Sequence, residues 1–229
     1  MTEPGAIAAY QSQQFGRVPF VSGQSDFSSQ NDYVISMSYS DIDNVTHTLS
    51  ETVGEPATNR NSTTLSSGDR VDWGMWSNTQ YDVSTSDGTA DTPSGEWLYM
   101  FADNVVPTMN ALTRMALTGT FQYDYVGGQL SGGSEAITQT STLTVNFDSM
   151  NMDVNLDTDS IGTFFTSTSQ SISDFYQDGI LLQGGTDGGT IQGRFVGENA
   201  DGVISSVTLL GDTDHHGTAA FERGSEVVP

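Results

Sequence analysis

The hydrophobic positions of this chain alternate with polar ones over many short segments. Residues 33–39 (YVISMSY) place a large apolar side chain at every second position, which is typical of a half-buried β-strand. Further segments of this kind follow, each bounded by Gly, Asp, Asn or Ser. They are residues 70–76, 96–102, 119–125, 141–148, 151–156, 161–166, 179–183, 190–196, 203–210 and 217–222. Short strands recurring about every ten residues predict an all-β antiparallel fold, either a barrel or a sandwich.

Glycines within this pattern favour the barrel. Gly74, Gly119, Gly193 and Gly197 lie in or beside predicted strands, where glycine commonly marks a bulge or a close approach of two backbones. Small barrels need such kinks to close. The sequence therefore predicts an antiparallel β-barrel of eight or slightly more strands, and a β-sandwich is the alternative.

Two domain segments are expected. Residues 1–32 are rich in Gln, Ser and Gly and show no period, so they predict an extended N-terminal arm or linker, whereas residues 33–229 form the barrel domain. Residues 40–69 are mostly polar and predict a loop with one weak strand at 45–49. The best helix signal is residues 107–116 (PTMNALTRMA), about two turns long.

Charge excludes one class of partner. The chain has 29 acidic residues against six basic ones, all arginine, and its net charge is −23. Nucleic acid is not an expected partner, because phosphate binding needs clustered basic residues. The dispersed acids predict either a solvated surface that resists aggregation or adaptation to high salt. Cysteine is absent, which excludes disulfides and thiolate metal sites, and no apolar run is long enough to predict a transmembrane segment.

A family resemblance rests on glycines and aromatic residues in the second half of the chain. The segments are LTGTFQY (117–123), TLTVNF (142–147), GRFVGENA (193–200) and GTAAFER (217–223), together with VDWGMW (71–76). They resemble the β-barrel domain of transferrin-binding-protein-like surface proteins. The resemblance implies an eight-stranded antiparallel barrel that is secreted or displayed on the surface of a Gram-negative bacterium and binds its partner through loops.

Two functions from different classes are consistent with this sequence. The first is a non-enzymatic surface module that binds a protein or a small solute through loops around residues 40–69, 78–95 and 126–140. The alternative is a subunit of an extracellular filament or surface layer, in which residues 1–32 add a strand to a neighbouring copy. Catalysis is not predicted, since the common nucleophile, phosphate-binding and dinucleotide motifs are missing. A carboxylate pair such as Asp72 and Glu96 is interpreted as surface charge.

Metal binding is considered at the sequence GDTDHHG. His215 and His216 with Asp212 and Asp214 have the ligand types that zinc, nickel or copper prefers. Adjacent residues of a strand point to opposite faces, so the two imidazoles meet one ion only if they lie in a turn. The alternative interpretation is a polar hairpin tip before the last strand.

Calcium is the other cation considered, and no cofactor is predicted beyond it. Asp-rich turns supply candidate oxygen ligands at Asp153, Asp157, Asp159 and Asp187, but they lack the order of an EF-hand loop. Solvated turns are the simpler interpretation.

Aromatic residues give a candidate ligand site. Trp73, Trp76, Trp97 and Tyr99 lie in two neighbouring predicted strands. Because Trp73 and Trp76 fall on opposite faces, one face is expected in the core and the other could present an exposed platform for a ligand or a sugar. Packing of all four in the core is the alternative.

Overall fold

A computed structural model describes residues 2–10, 17–22, 27–30, 33–40, 46–50, 58–76, 80–84, 97–131, 137–158, 164–185, 187–210 and 214–227, with side chains for 2–5, 60–76, 97–131, 137–158, 165–185, 187–210 and 214–227. Its strands are β1 (Glu3–Tyr10), β2 (Arg17–Ser22), β3 (Phe27–Gln30), β4 (Tyr33–Ser40), β5 (Thr46–Ser50), β6 (Thr58–Thr64), β7 (Arg70–Trp76), β8 (Gln80–Ser84), β9 (Trp97–Val105), β10 (Thr120–Leu130), β11 (Thr142–Asn146), β12 (Asn151–Asp157), β13 (Phe164–Ser171), β14 (Ile180–Leu182), β15 (Gly189–Val196), β16 (Gly202–Leu209) and β17 (His215–Glu226). Two short helices are α1 (Met109–Arg114) and α2 (Ile172–Tyr176).

The last eight strands follow one another as an antiparallel meander. Each of β10, β11 and β12 pairs with the next strand, as do β14, β15 and β16, and β10 also pairs with β17. Alternate residues of these strands belong to one buried cluster, as expected when one face of a sheet covers a core. The predicted all-β antiparallel fold is confirmed.

The ladder of strand pairs is interrupted between β13 and β14. Within the described residues, the two strands are joined by one isolated bridge, in which Thr166 and Gln183 exchange two N–H···O hydrogen bonds of 2.7 Å. The sheet is therefore not closed into a barrel by a continuous ladder, in contrast to the predicted closure. The interruption has a local cause, because β14 has only three residues and the α2 turn separates it from β13.

Aromatic rings fill the space that the last eight strands enclose. Phe195 is fully buried, and its ring lies 5.6–6.3 Å from the rings of four aromatic neighbours. These neighbours are Tyr123, Phe147, Phe175 and Tyr176. The buried hydroxyl of Tyr123 donates a 2.6 Å hydrogen bond to the carbonyl of Ala200, so the ring's polar end is satisfied.

The first half of the chain extends the same sheet and packs against the outside of the last eight strands. Strand β9 lies between β1 and β7 and meets β15 at the single pair Val105–Val196. Between the two layers lies a second core. Its members are Leu65, Val71, Trp73, Met100, Ala102, Val105, Val196, Ile204 and Ala220. The remaining strands form a separate four-stranded sheet in the order β3-β4-β5-β8.

Several predicted elements agree with the structure, and others differ. The predicted strand at residues 70–76 and the hairpin between β11 and β12 are confirmed. Residues 1–32 were expected to form an extended arm, but β1 and β2 are strands of the main sheet. β1 pairs with β9, far away in sequence, and β2 pairs with β1. The place of both strands in the main sheet thus depends on a distant partner, which no local period reveals. Strands β6 and β8 were not predicted.

Candidate binding site

The four candidate aromatic residues lie in the core. Trp73 is 6% exposed, and Trp76, Trp97 and Tyr99 are 0–2% exposed. Trp76 and Trp97 are directly opposite each other on β7 and β9, and the ring of Trp76 stacks on that of Tyr99 with centroids 4.7 Å apart. Trp73 and Trp76 lie on opposite faces of the sheet, as their spacing on one strand predicts. Because both faces of this sheet are covered, the exposed platform considered from the sequence is not present.

Trp73 connects the two layers of the molecule. Its indole ring lies over Gly127 of β10, where a Cβ atom would come within 2.2 Å of the Trp73 Cη2 atom. Only a residue without a side chain leaves room for this ring. Trp73 is therefore a packing residue between the sheet layers.

The two histidines of the candidate metal site point in different directions. His215 Nδ1 lies 3.3 Å from the carbonyl oxygen of Ser131, and His216 Nδ1 lies 3.3 Å from the hydroxyl of Thr208. Both residues are 6% exposed and adjacent on β17. Asp214 is half-buried, and Asp212 lies outside the described residues. In the described part of the chain, no three His, Asp or Glu residues are grouped as a metal site would require.

Acidification is expected to destabilise the protein through His216. Burial lowers the pKa of His216 below its usual 6.5, although the charge of Asp214 opposes this shift. The unfolded chain therefore binds the proton more tightly, and the free energy of unfolding decreases as the pH falls from about 6.5 toward the folded pKa. Urea denaturation at pH 7.5 and 5.5 should show this loss, and it should be smaller in His216→Gln. Equal losses in the two proteins would contradict the assignment.

The candidate carboxylates have protein partners in the described structure. Asp72 was interpreted as surface charge, but it is 1% exposed. It accepts hydrogen bonds from Arg70, with Nη2 and Nε at 2.7 and 2.9 Å from Oδ1. Asp153 Oδ1 accepts from the backbone N–H of Ser169 at 2.6 Å, and Asp157 Oδ2 accepts from the Thr140 hydroxyl at 2.7 Å. These carboxylates stabilise their own strands and do not converge on one point. Glu96 and Asp159 lie outside the described residues, and Asp187 is in an exposed turn.

One surface pocket contains a largely buried arginine with a structural role. Arg194 donates through Nε to the carbonyl of Pro107 at 3.1 Å and through Nη1 to that of Gly193 at 2.7 Å. Its guanidinium lies 4.5 Å from the centroid of the Tyr176 ring, and burial lowers its pKa to about 10. Arg194 thereby connects β15 to α2 and to the segment that precedes α1.

Another surface pocket lies at the interruption between β13 and β14, which we call the seam. It has a volume of about 300 Å³. Its lining residues are Thr166, Ser167, Thr168, Gln170, Leu181 and Gln183. Leu181 is 72% exposed, although Ile180 and Leu182 on either side are buried in the core. This site was not predicted from the sequence. The signal available was Leu181, an apolar residue at a position of a short strand whose side chain points away from the core.

A bulge shapes the β13 side of the seam. The register of β13 with β12 shifts opposite Met152 and Val154, and Ser169 in the shifted segment has φ of +54°. This left-handed conformation is unfavourable for a residue with a side chain. The hydrogen bond from the Ser169 N–H to Asp153 stabilises it. Such a bulge changes the directions of the neighbouring side chains of an edge strand.

The stretch of sequence between Arg114 and Arg194 is acidic, but the seam within it is neutral. Residues 115–193, which include β10 to β14, contain nine Asp or Glu and no Lys, Arg or His. The lining of the seam itself is uncharged, with hydroxyl and amide groups around Leu181. The seam is thus a neutral groove within an acidic region of the chain.

Comparison with known proteins gives distant structural likenesses. No protein-family model and no curated protein matches the chain. Among solved structures it is similar to transferrin binding protein B of Neisseria meningitidis serogroup B, with 11% identity and a TM-score of 0.44 over 98% of this chain and 44% of that one. A point mutant of transferrin binding protein B from Actinobacillus pleuropneumoniae matches with 9% identity and a TM-score of 0.37, covering 98% of this chain and 100% of that one. In the described part of the chain, neither helix has the length and apolar character needed to cross a bilayer.

Proposed function

We propose that the chain is a non-enzymatic extracellular module that binds a protein or a small solute on its outer surface, including its loops. The observation that carries this proposal is the packing of the interior. Side chains from all eight strands β10 to β17 form one buried cluster there, so the enclosed space serves as a core. A partner must then be recognised from outside, by the connections between strands and by strand edges.

Composition supports an exposed, soluble module that attracts cations. A net charge of −23 raises the local concentration of positively charged partners and accelerates their encounter with the protein at low salt. Display on the surface of a Gram-negative bacterium belongs to this proposal and follows from the family resemblance in sequence. The filament alternative needs a free N-terminal strand, whereas β1 pairs with β9 of its own chain along seven positions.

Binding assays with a defined panel test the proposed function. The panel contains iron-loaded transferrin, a basic protein, an acidic protein and a set of sugars and amino acids, and binding is measured by calorimetry with the full chain. Three variants replace residues 51–57, 85–95 or 132–136 with Gly-Ser segments of equal length. We expect saturable binding to a panel member that at least one replacement weakens by about tenfold or more while the Tm is retained.

Two outcomes would overturn the proposal. One is the absence of saturable binding across the panel up to millimolar concentration. The other is an assembly of many copies of the 24.5 kDa chain in light scattering at both low and near-molar salt, because the protein would then be a structural subunit.

A further inference from the structure

We propose that the surface pocket around Arg194 binds a small organic acid in its carboxylate form. This inference rests on the proposed binding function, because it names the site and the chemical class of one solute. The pocket, which we call the Arg194 pocket, lies where β15 meets the first residues of α1 and the last residues of α2, and its volume is about 300 Å³. Its charge, the fixed position of the guanidinium and the chemistry of its walls carry the inference.

The Arg194 pocket contains one charged group. Among the described residues that line it, Arg194 supplies a positive charge and the others are neutral. A guanidinium binds a carboxylate through two parallel N–H···O hydrogen bonds, which a neutral solute cannot form with the same strength. A carboxylate also matches the site better than phosphate does, because this lining offers one positive charge for the two negative charges of phosphate.

The guanidinium of Arg194 is held in place by the protein itself. Nε donates to the carbonyl of Pro107, Nη1 donates to that of Gly193, and the group packs on the ring of Tyr176. These contacts restrict the side chain to one arrangement, so that a ligand binds without first ordering it. The five N–H groups of a guanidinium can serve protein and ligand acceptors together.

Burial of Arg194 adds to the attraction for an anion. The protein removes part of the water around the guanidinium, and this loss of solvation lowers its pKa to about 10. The group still carries its full charge at neutral pH. A carboxylate bound beside it would replace the lost solvation, and the attraction is stronger at such a site than between exposed charges.

The remaining walls of the Arg194 pocket are of two kinds. Three residues are apolar or aromatic, and three carry hydroxyl or amide groups. The first are Pro107, Met109 and Tyr176, and the second are Thr108, Asn110 and Gln177. Pockets that bind small molecules typically have volumes of about 300–1,000 Å³, so this one is at the lower limit. The expected ligand is therefore a compact acid whose single carboxylate meets Arg194 and whose apolar group contacts the apolar wall.

A fluorinated acid tests the Arg194 pocket. The probe is para-fluorobenzoate, and the comparison ligands are para-fluorobenzamide, which has the same shape and no charge, and inorganic phosphate. Fluorine NMR measures binding of the two fluorinated ligands to the full chain, and calorimetry measures phosphate. The buffer contains about 0.15 M salt, which screens repulsion by acidic residues further than about 8 Å from the ligand.

Three variants locate the binding. Arg194→Gln removes the positive charge. Asn110→Asp adds a negative charge to the pocket with almost no change in size, and the fold should be retained because Asn110 is exposed and an acidic residue is favourable in the first turn of a helix. Asn199→Asp is the matched control, since it makes the same change on an exposed residue after β15 that does not line the pocket. Circular dichroism and the Tm establish that each variant is folded.

We expect para-fluorobenzoate to bind saturably with a Kd below about 5 mM, and the amide and phosphate to bind at least about tenfold more weakly. Arg194→Gln should reduce the affinity for the acid to that for the amide. Asn110→Asp should weaken binding of the acid about threefold or more and leave the amide unchanged, and Asn199→Asp should have less than about half that effect. Equal affinity of the natural chain for acid and amide, or equal effects of the two aspartate variants, would overturn the assignment.

The Arg194 pocket and the proposed function can fail separately. If a panel member binds and a loop replacement weakens it, while para-fluorobenzoate does not bind, the binding function stands and the pocket assignment is wrong. If para-fluorobenzoate binds with the expected pattern and no panel member binds, the pocket stands as a carboxylate site and recognition through the loops is wrong.

Discussion

Trp73→Ala is expected to lower the free energy of unfolding by about 3–5 kcal/mol, the range seen when a large buried aromatic side chain is truncated. Trp73 is 6% exposed and packs in the second core with residues of both layers, including Met100 on β9 and Ile204 on β16. Its loss leaves a cavity between the first half of the chain and the outer surface of the last eight strands. Urea denaturation followed by tryptophan fluorescence and circular dichroism would measure the loss.

A double-mutant cycle with Gly127 tests the cause. Gly127→Ala in the natural chain places a methyl group against the Trp73 ring, where the Cβ would be 2.2 Å from Cη2, and the overpacking should cost about 1–3 kcal/mol. In the Trp73→Ala background the same methyl group enters the cavity, so its cost should largely disappear. Additive effects of the two substitutions would show that the ring and the glycine do not pack as described.

Phe195→Ala is expected to lower the free energy of unfolding by a similar amount, about 3–5 kcal/mol. Phe195 is fully buried and contacts the rings of Tyr123, Phe147, Phe175 and Tyr176. Truncation removes the buried Phe195 ring and also its contacts with the neighbouring rings. These ring contacts stabilise the fold beyond the burial of apolar area alone. The measurement is chemical denaturation at about pH 8.5, well above the usual histidine pKa, where His216 is neutral in both states.

Phe121→Ala is the matched control for this substitution. Phe121 is also an aromatic residue of the last eight strands, but it is only partly buried and lies 6.2 Å from Phe147 and 4.9 Å from the guanidinium of Arg223. Its truncation should cost less than half of the Phe195→Ala loss, because solvent already reaches the ring. Comparable losses at the two positions would contradict the central place of Phe195 in the core.

Strand β7 shows what local pattern predicts well. Its predicted and observed bounds coincide at Arg70–Trp76, and the opposition of Trp73 and Trp76 follows from the two-residue period of a strand. The turn between β11 and β12 was also predicted, since its polar residues separate two clear alternations. These features depend on neighbouring residues only, which is why one sequence suffices for them.

The exposure of a strand face depends on what packs against it. The two-residue period of a strand places Trp73 and Trp76 on different sides of the sheet. It does not show that residues of β15, β16 and β17, more than 120 positions further along the chain, cover the Trp73 side. The same limit applies to β1, which pairs with the distant strand β9 and holds β2 in the main sheet. Long-range pairing leaves no period in the residues that it involves.

The sequence by itself determined the all-β class, most strands of the second half, the net charge of −23 and the opposite directions of His215 and His216. Strand period and charge are local properties of the chain. Only the tertiary structure decided that the four candidate aromatic residues are buried, that β1 belongs to the main sheet, and that the ladder is interrupted beside Leu181. These three features depend on which distant segments meet, and the free energy that selects those contacts comes from burial across the whole molecule.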